Sequence, residues 1–113
     1  MTLKDMAELL SLEMLTVPFD ESLMVNDCYI GDLLSWVMGR APESCVWITV
    51  MGNVNAVAVA KLADISAIIL CENAHLDDEA KTQANQNQIH VYQSDKTAFQ
   101  LAAILAEAFG SHS

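Results

Sequence analysis

Two short stretches carry the residue types from which a small-molecule corner can be built. The first is Tyr29-Ile30-Gly31-Asp32, where strand-forming residues run into a glycine, an acid and the apolar start of a helix. The second is Met51-Gly52-Asn53-Val54-Asn55, again a glycine followed by helix-starting residues. Glycine lets a backbone or a ligand approach closely, and the free N–H groups of a helix start favour an anion. Asn53 and Asn55 add neutral donors and acceptors suited to a base or sugar edge. Asp32 would repel a phosphate and suits a helix cap or a hydroxyl partner better. The candidate ligand-binding set is therefore Tyr29, Gly31, Asp32, Gly52, Asn53 and Asn55. Plain helix capping is the competing account of Asp32, Asn53 and Asn55.

Signs of turnover chemistry are sparse. No GxxxxGK[ST] phosphate loop, no GxGxxG fingerprint and no GxSxG elbow occurs. His75, His90 and His112 match no zinc spacing, and none belongs to an evident nucleophile–base arrangement by sequence. Asp77-Asp78-Glu79 is the densest acidic run, and it reads as favourable charge at a helix start. No catalytic residue, metal or cofactor is expected. Cys28, Cys45 and Cys71 lie far apart in apolar runs and read as small buried hydrophobes.

Charge narrows the partners. Five Lys and Arg against fifteen Asp and Glu give a formal net charge of −10 over 113 residues. Binding to a phosphate backbone needs clustered cations, so nucleic acid is excluded. The most apolar stretch, 56–71, is interrupted by Lys61 and Asp64, which argues against a membrane span. The start, Met1-Thr2-Leu3-Lys4-Asp5, lacks the apolar core of a secretory signal. With an odd number of cysteines, a cytoplasmic location with reduced thiols is expected.

The elements that must position the two corners follow from periodicity. Thr2 and Asp5 frame a first helix whose buried face holds Met6, Leu9 and Leu10. Strands are expected over 12–16 and 23–30, the second interrupted by Asn26-Asp27. Asp32 is placed to cap a helix ending at 39–42. Residues 45–50, 66–71 and 89–92 read as strands, and each is followed by a helix. Asn53 or Asn55 caps the first of these helices, which is rich in alanine, and Ser94-Asp95 caps the last. Leu101, Ile104, Leu105 and Ala108 form the last helix's core face, and Gly110 ends it. Strand–helix alternation with short connections predicts one α/β domain over 1–113, its mainly parallel sheet flanked by helices. The N-terminal helix and strands are expected to add to the same sheet. Trp47 alternates away from Val46 and Ile48, onto the opposite sheet face. Trp36 falls on a different helical face from Leu33 and Val37, which fits an interface or a site under a neighbouring loop equally well.

Three blocks in order resemble the stand-alone DRTGG-domain proteins of anaerobic bacteria. They are Tyr29-Ile30-Gly31-Asp32-Leu33-Leu34-Ser35-Trp36-Val37-Met38, then Trp47-Ile48-Thr49-Val50, then Asn53-Val54-Asn55-Ala56-Val57-Ala58-Val59-Ala60. The resemblance runs on through Ser66-Ala67-Ile68-Ile69-Leu70. Where relatives carry Gly-Gly before the tyrosine, this chain has Asp27-Cys28. The family is similar to the N-terminal domain of HPr kinase/phosphorylase, without the kinase domain. The resemblance implies an α/β fold and a non-catalytic regulatory role as a cytoplasmic homodimer, sensing a nucleotide or other small metabolite. The alternative function is a protein-interaction subunit that docks onto a metabolic or redox enzyme through an apolar surface around Trp36 or the alanine-rich helix.

Overall fold

The computed structural model describes residues 1–110, so His112 lies outside the described residues. Five helices, α1 (Leu3–Leu10), α2 (Leu34–Arg40), α3 (Val54–Leu62), α4 (Asp78–Gln86) and α5 (Ala98–Gly110), surround one sheet. Its strands are β1 (Glu13–Met14), β2 (Asp27–Ile30), β3 (Cys45–Thr49), β4 (Ala67–Leu70) and β5 (His90–Gln93), in the order β1-β5-β4-β3-β2. The four strands β2 to β5 are parallel, and β1 closes the far edge antiparallel to β5.

The sheet has this form because its central strands are apolar throughout. Every residue of β3 and β4 is buried, as expected of parallel strands covered on both faces. Alternation then divides the core in two. Trp47, Ile68, Leu70 and Val91 pack under α2, α3 and α4. Val46, Ile48, Ile69 and Tyr92 pack under α1 and α5. Trp47 thus takes the face opposite Val46 and Ile48, as alternation requires. The α/β architecture and the mainly parallel sheet expected from the sequence are both present.

Several local expectations are corrected. The strands at 12–16 and 23–30 shrink to Glu13–Met14 and Asp27–Ile30. Residues 15–26 instead cross from one sheet edge to the other beneath the N-terminal ends of the strands. Val17 N donates to Asn85 Oδ1 (2.8 Å) at the start of this crossing, and Asn26 N donates to Ser44 O (3.2 Å) at its end. Between them, Met24 O accepts from Ser66 Oγ at 3.1 Å.

Asp32 does not cap α2. Leu33 holds the cap position without a side-chain bond, because the Asp32 carboxylate is turned towards β3. Asn53, not Asn55, caps α3, accepting from Ala56 N at 2.9 Å. At α5 the cap is Thr97 rather than Ser94-Asp95. Thr97 Oγ1 accepts from Gln100 N (3.2 Å) while Gln100 Oε1 accepts from Thr97 N (2.9 Å). That reciprocal pair is the chemistry of a capping box. The box expected at the first helix is present between Thr2 and Asp5.

Candidate functional site

The two glycine-bearing corners lie side by side, because β2 and β3 are paired neighbours and both corners follow their carboxyl ends. Asp32 joins them. Its Oδ1 accepts from Thr49 Oγ1 at 2.7 Å and from Val50 N at 3.0 Å. Thr49 Oγ1 in turn accepts from Met51 N at 3.2 Å, so one hydroxyl relays the link into the second turn. Trp47 adds a further tie, its Nε1 donating to Gly31 O at 2.8 Å. Asp32 therefore finds a hydroxyl partner, and the hydroxyl is the protein's own.

Each remaining candidate has a visible position. Tyr29 is half-buried against the helical layer of α2 to α4. A Cβ on Gly31 would sit 3.3 Å from the Tyr29 ring. Gly52 lies under the loop before α4, where a Cβ would fall 1.8 Å from His75 O, and Gly52 O accepts from Asp77 N at 2.8 Å. Its missing side chain thus makes room for backbone. Asn55 separates from the others. It lines a groove of about 450 Å³ between α3 and α4, together with Val54, Ala58, Lys61, Glu79 and Gln83. Trp36 is 51% exposed, with the Arg40 guanidinium 3.7 Å over its ring.

Strand order bears on what such a rim can do. Ligand crevices in open α/β sheets form where the order reverses. Here β2, β3, β4 and β5 step in one direction, so the corner between β2 and β3 is not such a reversal. It is drawn together by Asp32 and Thr49. The rim is also acidic: Asp32, Glu72, Asp77, Asp78 and Asp95 follow the strand ends or start α4, and the ammonium of Lys96 donates to Leu10 O at 3.4 Å.

The thiols are held as thiols. Burial pushes Cys28 up to about 12 and Cys45 up to about 11, and it raises Cys71, with Glu72 adding to the effect. Among the described residues no group of three His, Cys, Asp or Glu side chains is gathered to hold a metal ion. No described helix is long and apolar enough to cross a membrane.

Two structural features lie outside the sequence-based candidates. Thr49 is the one polar residue of an apolar strand, and that oddity was the available signal. His90 and Tyr92 are each 1% exposed, and neither His90 nitrogen nor the Tyr92 hydroxyl has a hydrogen-bond partner among the described residues. Nothing in the sequence marks that.

No family model and no curated protein matches the chain. Solved structures do match. One is the regulatory region of a Clostridium perfringens pyrophosphatase, its CBS and DRTGG domains complexed with the activator diadenosine tetraphosphate. The likeness has a TM-score of 0.75 at 14% identity and covers 91% of this chain. The fold is similar to that of part of this CBS/DRTGG region. The present chain spans 45% of that longer chain.

Proposed function

We propose that this protein is a non-catalytic regulatory module that binds a small metabolite, a nucleotide foremost, and works as a homodimer in the cytoplasm. The observation that carries the reading is the fold likeness to a regulatory region whose activator is a dinucleotide. The resemblance of the Tyr29–Asp32 and Asn53–Asn55 blocks to DRTGG-domain proteins, and through them to the N-terminal domain of HPr kinase/phosphorylase, points the same way. The binding residues would be Tyr29, Gly31, Asp32, Gly52, Asn53 and Asn55, with Gly52 contributing only by letting the His75 loop close over the corner and Asn55 reaching in from the adjoining α3/α4 groove. With Asp32 and Glu72 at the rim, the base and sugar are the parts recognised, and any phosphate points away from the carboxylates. A ligand preferring one dimer arrangement would shift the population of arrangements and so carry the signal.

A second reading is supported by a separate observation. Ile30, Leu33 and Trp36 follow one another across the first corner at 48%, 57% and 51% exposure. Such a run suits a protein-interaction subunit docking onto a metabolic or redox enzyme.

A thermal-shift panel of adenosine, adenine mononucleotides and diadenosine tetraphosphate tests the first reading. A ligand held at a hundred times its Kd adds about 2.7 kcal/mol to native stability, so at least one compound should raise the melting temperature. A flat panel at millimolar concentration overturns nucleotide sensing. Sedimentation of the wild type and of Trp36→Ala then addresses the dimer and the apolar surface.

A further inference from the structure

The base of the sheet holds an arrangement that neither the regulatory reading nor the fold likeness accounts for. His90 opens β5, and its imidazole lies on the α1/α5 face with Tyr92, two residues on. The two rings are parallel within 9°, with centroids 6.4 Å apart. The ring of Phe19 covers the other approach, its centroid 6.1 Å from that of His90. The imidazole is thus enclosed between two aromatic rings with no protein partner for Nδ1 or Nε2. An unpartnered buried polar group is destabilising, because it gives up its hydrogen bonds to water. Something must hold the cover in place against that cost.

The cover is the segment 17–22, part of the crossing beneath the sheet. Most of it is exposed. Its ties are few: Val17 N to Asn85 Oδ1 at 2.8 Å, Glu21 O accepting from Lys4 N at 3.1 Å, Asp20 O accepting from Leu23 N at 3.4 Å, and the local bonds of Ser22 to Asp20. Phe19 remains 48% exposed while it packs on His90. The segment is therefore held to the rest of the fold by two hydrogen bonds near its ends and, between them, by one aromatic contact onto a group that can carry charge.

We propose that residues 17–22 are a strap, closed over His90 while the imidazole is neutral and released when it takes up a proton. The charged groups that act on His90 are the strap's own carboxylates, Glu21 and Asp20, and both favour the proton. Tyr92 is the titratable neighbour on the same strand, and burial pushes its hydroxyl up to about 12, so it stays neutral. The other elements on this face bring apolar side chains: Leu3, Met6 and Leu10 from α1, Ala67 and Ile69 from β4, Leu101 and Leu105 from α5. With the strap closed, burial outweighs the two acids and holds His90 below its ordinary value. With the strap open, the imidazole is solvated, and although Glu21 and Asp20 move away with the strap, the larger effect of burial is gone. The open form therefore binds the proton more tightly. Closure is at full strength above about pH 6.5, the ordinary imidazole value, and weakens as the pH falls below it.

Amide hydrogen exchange on the full chain between pH 7.5 and 5 tests this, after correction for intrinsic rates. The probes are the Val17 and Leu23 amides, with β3 and β4 amides as reporters of global opening. Val17 and Leu23 should lose protection by up to tenfold per pH unit below about 6.5, while β3 and β4 hold theirs. His90→Phe keeps the ring and removes the nitrogens, so its strap should stay protected throughout. His90→Gln, which cannot titrate, should also show no pH dependence if the phenylalanine variant folds poorly. A flat wild-type profile overturns the proposal. So does an unchanged slope in either variant, or loss of β3 and β4 protection in step with the strap. None of these readings depends on any ligand, so the regulatory proposal stands or falls separately.

Discussion

The Asp32 carboxylate at the end of β2 accepts the hydroxyl hydrogen of Thr49 at the end of β3, oxygen to oxygen 2.7 Å. Two parallel strands are thereby tied at the rim from which α2 and α3 depart. The same oxygen takes Val50 N, so the loop after β3 is held too. A bond to an ionised acceptor contributes about 1.5–3 kcal/mol when sheltered. Asp32 is exposed, which places its effect at the low end. Asp32→Ala and Thr49→Val should each lower stability by about 1–2 kcal/mol. The double variant should cost less than the sum by roughly 0.5–1 kcal/mol. Urea unfolding of the four proteins gives the coupling, and strict additivity would mean that the two side chains act independently.

Two glycines should respond to alanine in opposite directions. Gly52 does not have a positive φ, and its role is steric, since a Cβ there would meet His75 O at 1.8 Å. The obstacle is backbone, so the loop before α4 must move. Gly52→Ala should destabilise by about 2–4 kcal/mol through overpacking. Gly39 lies inside α2, and a Cβ there meets nothing within 4 Å. Gly39→Ala should stabilise by about 0.5–1 kcal/mol, from helix propensity alone. Thermal melts of both variants check the pair of signs.

How much of this was legible beforehand depends on the range of the forces involved. Local chemistry read well: the Thr2–Asp5 box, the Asn53 cap, the buried strands from Cys45 onward and the opposite face for Trp47 all follow from spacing within a few residues. Long-range choices did not. Asp32 is a residue type favoured at an N-cap and stands just before a helix, yet a hydroxyl and an amide seventeen and eighteen residues away hold its carboxylate. Gly52 looked like a ligand approach, and the approaching group is the chain's own backbone at His75. The sheet order, which decides whether a rim opens into a crevice, leaves no mark on local periodicity. Residues 23–26 look strand-like, but they run under the sheet, with Ser66 Oγ on Met24 O.

The cysteines should be sluggish. A thiol at about 12 for Cys28 and about 11 for Cys45 carries almost no thiolate at pH 8. Native-state alkylation should run at least about 100-fold slower than that of a free cysteine near its ordinary value of 8.5. Cys28 should react first, because it is the one left partly exposed while Cys45 and Cys71 are buried. Its rate should still be climbing at pH 10, where an unperturbed thiol has levelled off. Mass-resolved labelling against pH measures this, and a plateau near pH 9 would show that burial does not hold the proton.

Tyr92 gives a prediction at the alkaline end. Its hydroxyl is buried without a partner, so Tyr92→Phe should be neutral or stabilise by up to about 1 kcal/mol at pH 7. The sign of the pH effect follows from where each state ionises. Folding pushes the phenol from 10 up to about 12, so the unfolded chain loses its proton first. The phenol's contribution to stability is complete below pH 10 and falls away as the pH rises from 10 to 12. That slope should cost the wild type on the order of 2 kcal/mol by pH 12 relative to the phenylalanine variant. Urea melts of both proteins at pH 7, 9, 10 and 11 isolate the term, because every other titrating group is common to the two. Parallel stability curves across that range would mean that the Tyr92 hydroxyl finds a partner or solvent in the folded protein.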